Sequence, residues 1–168
     1  MPTTQINDLS DLMVYELRDL YHAERQFVAA LPELEKNAIH TELKTACKEY
    51  TATTQLQIER LESLFDRLDI DPTGETCEAM EGLIREAREV LELDTNENVR
   101  DAALVAMLQR VMHYGIAGYG TAKTYARHLG LPDAEVTLYE IEREKSDADE
   151  GLTQLAVYKL NLEAMATV

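Results

Sequence analysis

The stretch "DIDPTGETCEAMEGLIREAREVLELDTNE" (69–97) decides the fold of this 168-residue chain. It separates two segments that each read as a long helix. Its Pro72 and Gly74 stand at the joint, as Gly130 and Pro132 do at a later one. Its centre, "CEAMEGLIREAREVLE" (77–92), has apolar residues at helical spacing and predicts a short helix of its own. A connection of this length can cross a whole helical bundle, whereas an up-and-down bundle needs only a tight turn at that point.

Working outward, residues 7–36 form the first long segment, with a stripe of Leu9, Met13, Leu17, Leu20, Phe27, Val28 and Leu31 and with Glu24 inside it. Asp8 or Ser10 can cap its start, and Pro32 predicts a kink or a new turn near its end. Residues 41–68 follow, with Thr41 as N-cap and a stripe of Leu43, Ala46, Tyr50, Thr53 or Thr54, Gln57, Leu61, Leu64 and Leu68. The third segment covers 98–129, capped by Asn96 or Asn98 and ended by Gly130. The fourth begins after "GLPDAE", with Pro132 or Asp133 in its first turn. It runs to about residue 163 on Leu138, Ile141, Ala148, Leu152 and Leu155.

No segment alternates with period two, and no Asn-Gly or Asp-Gly hairpin signal occurs. The chain is therefore predicted to be an all-α single domain over 1–168. The first–second and third–fourth joints are a few residues long, so each pair must be an antiparallel hairpin. The long joint lets the second and third helices run parallel. One such crossover defines a ferritin-like four-helix bundle.

The formal charge is −16, from 32 acidic and 16 basic residues. Like charge repels nucleic acid and anionic membranes, so neither is expected as a partner. The charge favours solubility, suits a high-salt cell, and admits cation collection as a third reading. Cys47 and Cys77 form no C-x-x-C pair and are expected as free thiols. "MPTTQINDLS" (1–10) has neither the basic nor the apolar region of a signal peptide. No apolar run approaches the ~20 residues of a membrane span. A cytoplasmic protein is expected.

Function in such a bundle is built from inward side chains. Glu24 lies on an apolar face, where a carboxylate must be paired or bound to a cation. It can belong to a metal site or buried network, or it can snorkel or pair with an arginine such as Arg25 or Arg110. Tyr50, Thr53, Thr54 and Gln57 make a polar centre between apolar ends, a donor set better suited to a hydrogen-bonded layer than to iron or manganese. In "EIEREKSDADE" (140–150), Glu144 shares a helical face with Asp147 and with Glu140, which reads as a solvated face or as a set of ligands. "QRVMHYGIAGYG" (109–120) places three glycines and His113 in mid-helix, and His113 reads as a core or boundary residue or as a ligand. Phosphate-loop, G-x-S-x-G and H-E-x-x-H motifs are absent, as is a pair of Glu-x-x-His motifs.

The segments "ELRDLYHAERQFVAALPEL" (16–34), "CEAMEGLIREA" (77–87), "VRDAALVAMLQRVMHYGIAGYGTAKTYARHLG" (99–130) and "EREKSDADEGLTQLA" (142–156) resemble the YciF/YciE-type DUF892 ferritin-like proteins, a stress-associated bacterial and archaeal family. The resemblance spans nearly the whole chain. It implies a ferritin-like bundle, commonly a homodimer, with a di-metal carboxylate site. Matched residue by residue, it retains Glu24 from "Y-x-A-E-[KR]-Q" and Glu144 from "E-E-K", with Asp147 or Asp149 as the nearby acid. Where the family resembles "H-L-E-E-T", this chain has "YTATT", so that Tyr50, Ala52 and Thr53 stand at ligand positions; Gln57 is a further one. Where it resembles "V-E-H-Y-E-I-A", Met112 and Gly115 replace glutamates. Tyr50 is expected to fill the space opened at Gly115. The stretch 145–152 is one residue longer than the resemblance implies, which a π-bulge can absorb.

Besides a plain helical bundle with an unrelated binding role, two classes of function follow. One is a stress-associated ferritin-like protein that lacks a complete di-metal centre and acts as a structural or partner-binding module. The alternative is a mononuclear or shifted site on Glu24, Glu144 and Asp147 or Asp149, His113 being a further ligand candidate, with iron or manganese as cofactor and oxidoreductase or metal-storage chemistry. The residues alone leave open whether the protein is an enzyme.

Overall fold

The computed structural model describes residues 5–166. Its elements in chain order are α1 (Leu9–Asn37), α2 (Thr41–Leu68), α3 (Glu78–Leu91), α4 (Glu97–His128), α5 (Pro132–Leu155), a π-helical turn (Ala156–Leu160) and α6 (Asn161–Met165). Local chemistry sets most boundaries. The Asp8 carboxylate accepts from Asp11 N–H at 2.9 Å, and Asn96 Oδ1 accepts from Val99 N–H at 2.9 Å. Both satisfy donors that a helix start leaves open. Gly130, with φ +69°, follows the Leu129 cap of α4. Two boundaries differ from expectation. α2 is capped by His40, whose Nδ1 accepts from Glu42 N–H at 3.2 Å, one residue before Thr41. α1 continues through Pro32 to Asn37, so no new turn begins there.

Side-chain contacts fix the helix directions. Along α2 and along α5 with the π turn that continues it, Glu42 meets Lys159, Tyr50 meets Ala148, Gln57 meets Glu144 and Arg67 meets Thr137. The pair is antiparallel. Ile39, just past the end of α1, meets Asp101 of α4 while Glu24 meets Tyr119, so α1 and α4 are also antiparallel. The short α1–α2 link makes that pair antiparallel as well, so α2 and α4 point the same way and the 69–97 segment crosses the bundle. Within the crossover, α3 turns Met80, Ile84 and Ala87 inward against α1 and α4. Cys77 caps it, its sulfur accepting from Met80 N–H at 3.4 Å.

The π turn lies at Ala156–Leu160, beyond the 145–152 stretch where extra length pointed to it. α5 is regular through Leu155, so no bulge interrupts that stretch.

Two apolar clusters fill the bundle. One holds Phe27, Leu31, Leu43, Leu108 and Leu152 together with the α3 face; the other holds Leu17, Leu20, Phe65, Tyr119 and Ile141. Buried acids make this interior sensitive to base. Burial pushes the Cys47 thiol from its ordinary 9.0 up to about 12. Burial likewise raises Cys77, Tyr50, Tyr114 and Tyr119. Above about pH 9 the unfolded chain gives up these protons first, so the folded state holds more protons and stability falls as pH rises. Cys47 alone removes about 1.4 kcal/mol per pH unit between its two values. Urea midpoints compared at about pH 8 and about pH 10.5 are expected to drop at the higher pH; an unchanged midpoint contradicts this.

Candidate functional site

A polar layer separates the two apolar clusters, and each long helix contributes to it. On α1, Leu17, Leu20, Glu24, Phe27, Leu31 and Leu34 follow alternating steps of three and four residues. On α5, Leu138, Ile141, Lys145, Ala148, Leu152 and Leu155 do the same. Residues so spaced share the face turned to a neighbouring helix. Glu24 and Lys145 are therefore charged residues inside apolar seams, and they meet across the bundle between α1 and α5, which run parallel.

Lys145 Nζ donates to Glu24 Oε2 at 2.8 Å, and both side chains are 4% exposed. The Tyr119 hydroxyl donates to Glu24 Oε1 at 2.9 Å. Each carboxylate oxygen thus has one donor. The ammonium also lies 5.5 Å from the centre of the Phe27 ring, within cation–π range. Burial and the adjacent Glu24 carboxylate push the Tyr119 phenol well above its ordinary range, so it remains a donor.

Gly115 admits the lysine. A Cβ at that position would stand 3.2–3.3 Å from Cγ, Cδ and Cε of Lys145, tighter than ordinary contact. The space over Gly115 is therefore filled by the lysine stem, and this corrects the expectation that Tyr50 fills it. Tyr50 instead donates to the Ala148 carbonyl at 3.3 Å. Gly118, one turn on, is required by a different neighbour: a Cβ there would stand 2.6 Å from Leu20 Cδ2.

The other sequence-derived candidates disperse. Glu144 turns away from Glu24 and accepts from Gln57 Nε2 at 2.8 Å and from the Arg60 guanidinium at 2.6 Å. Asp147 is 67% exposed and lies 3.7 Å from Arg143. Asp149 lies 3.1 Å from His113 and also accepts from Gln109 at 3.1 Å; the His113 side chain is 65% exposed. Ala52 is exposed and Thr53 half-buried, whereas Met112 is buried. Gln57 is buried, and its Oε1 has no hydrogen-bond partner. It lines a cavity of about 10 Å³ with Tyr50, Thr53, Thr54, Met112, Glu144, Lys145 and Ala148, about the space of one water molecule. Among the described residues, no three His, Cys, Asp or Glu side chains converge as a metal ion would require.

Sequence reasoning singled out Glu24 but missed its partners. Glu24 pairs with Lys145, while Arg25 lies over the Tyr21 ring and Arg110 lies near Glu86. The available signal was the seam itself, since Lys145 sits three and four residues from Ala148 and Ile141. A second polar cluster fastens the crossover. Cys77 Sγ lies 3.0 Å from the Tyr114 hydroxyl, which also bonds Asp19. Cys77 N–H donates to His22 Nδ1 at 3.1 Å, and Gln26 donates to the Cys77 carbonyl at 3.0 Å. Its bonds tie the start of α3 to α1 and α4.

A family model described as DUF892, a domain of unknown function, matches residues 8–165. Protein YciF of Escherichia coli (strain K12) is 38% identical over 157 residues, covering 93% of this chain and 95% of that protein. The crystal structure of the E. coli stress protein YciF superposes with a TM-score of 0.89, over 93% of this chain and 99% of the other. YcfI from Rhodopseudomonas palustris is 37% identical, with a TM-score of 0.88 over 94% of this chain and 100% of that one. A two-domain protein from Anabaena variabilis with a ferritin-like domain matches at 20% identity and a TM-score of 0.61, over 96% of this chain and 39% of its own, which bears on the fold alone.

Proposed function

The chain belongs to the DUF892 family, and from that premise we propose that it is a stress-associated ferritin-like protein that works as a structural or partner-binding module without a complete di-metal centre. The observation that carries this reading is the buried Glu24–Lys145 pair. A pair of hard cations wants about six oxygen ligands each, carboxylates foremost. Here Glu24 is already matched by an ammonium, Glu144 by a guanidinium, and Gly115 and Met112 offer no oxygen. This donor set does not fit a di-metal centre. The alternative, one iron or manganese ion held by Glu24, Glu144 and Asp147 or Asp149, with or without His113, has less support, because these acids have separate partners: Lys145, Arg60, Arg143 and, for Asp149, the exposed His113.

The stress association rests on the likeness to YciF, which is described as a stress protein. A cytoplasmic homodimer is part of the same reading. It draws on the family resemblance and, for location, on the absence among the described residues of any helix long and apolar enough to cross a membrane. Metal analysis of protein purified without chelator is the test. Substoichiometric iron, manganese and zinc are expected. Two metal ions per chain, lost on Glu24→Gln, would overturn the reading, and light scattering checks the dimer.

A further inference from the structure

A carboxylate withdrawn from water needs a counter-charge, and in ferritin-like di-metal bundles metal ions supply it. We propose that Lys145 is the resident cation of this bundle: its ammonium neutralises Glu24 in place of a metal ion, Gly115 is the opening that admits its stem, and the pair closes the interior to divalent metal. The inference rests on the reading of an incomplete di-metal centre and goes beyond it, since loss of ligands alone would leave Glu24 without a partner.

Three independent features of the structure point here. The ammonium and carboxylate meet at 2.8 Å in the layer between the two apolar clusters, with Tyr119 on the other carboxylate oxygen. The lysine stem runs over Gly115 so closely that a methyl group would press on three of its carbons. Lys145 also stands in the apolar seam of α5, where a lysine is costly unless its charge is matched inside. Gly115 and Lys145 therefore form one device: the glycine leaves room for the lysine stem, and without the cation Glu24 is an unpaired buried charge.

Manganese(II) titrations of three proteins by calorimetry test the device: the unaltered chain, Gly115→Glu, and Gly115→Glu with Lys145→Ala. The last has carboxylates on α1 and α4 and no ammonium between them. It is expected to bind manganese at least about a hundredfold more tightly than either other protein. A folded double variant with no such gain overturns the proposal, as does single Gly115→Glu protein that binds as tightly as the double variant. Should the double variant not fold, a cycle of Lys145→Met and Glu24→Gln in urea decides. Coupling of at least about tenfold in the unfolding constant supports the pair, and additive effects overturn it. Saturable manganese binding by the unaltered chain that Glu24→Gln abolishes would sink the proposed function as well. Failure of the double variant beside a metal-free unaltered chain sinks this inference alone.

Discussion

Lys145→Met is expected to destabilise the protein by about 3–5 kcal/mol. Methionine keeps an unbranched stem of similar length, so the packing over Gly115 survives and the loss is chiefly that of the charge. What remains is the Glu24 carboxylate, 3% exposed, with a single donor from Tyr119. Breaking one side of a buried pair costs far more than removing both, because an uncompensated charge is left in a medium that solvates it poorly. For a chain of this size the change corresponds to a fall of about 10 °C in melting temperature. Urea denaturation followed by far-ultraviolet circular dichroism measures it. A loss under about 1 kcal/mol would place the pair among weak surface ion pairs and contradict its burial.

Asp101→Ala is expected to cost about 3 kcal/mol, through a different part of the bundle. Asp101 is 2% exposed on α4, and its carboxylate accepts from Ile39 N–H at 3.1 Å and from His40 N–H at 2.6 Å. These amides belong to the link between α1 and α2, so a single side chain of one hairpin clamps the turn of the other. Hydrogen bonds to a charged acceptor are worth about 1.5–3 kcal/mol each, and truncation leaves both amides without that acceptor. Asp101→Asn retains one acceptor oxygen and is expected to lose about half as much. Amide hydrogen exchange at Ile39 and His40 should accelerate beyond the global change in stability. Exchange there that tracks only global unfolding would show that the clamp carries no local load.

Much of the fold was legible because helical periodicity is a local property. The seams of α1 and α5 can be marked on the chain without knowing what they face, and Asp8 and Asn96 cap their helices through bonds to residues three positions away. The crossover was legible from length and from the apolar spacing of 77–92, which became α3. Boundaries decided by competition between neighbours were harder. His40 displaced Thr41 as cap, and Pro32 was absorbed by a helix held on both sides by its contacts. In the candidate site, Glu24 announced itself as an acid on an apolar stripe, but the filler of the Gly115 space did not. The sequence pointed to Tyr50, whereas Lys145 occupies the space, and selection between them depends on the rotation of α2 and α5 about their axes.

By itself, then, the order of residues determined four long amphipathic helices, two tight hairpins, one crossing connection and one acid misplaced in a seam. Each follows from spacing along a single chain segment. The tertiary structure alone decided that Glu24 answers to Lys145, 121 positions away, through a gap left by Gly115, and that Glu144 and Asp147 answer to arginines outside that layer. The reason is geometric. Adjacent helix positions differ by about 100° in direction, so the step from Glu144 to Lys145 separates a rim carboxylate from a buried ammonium. Which of them enters is settled by the space and charge that the facing helices present.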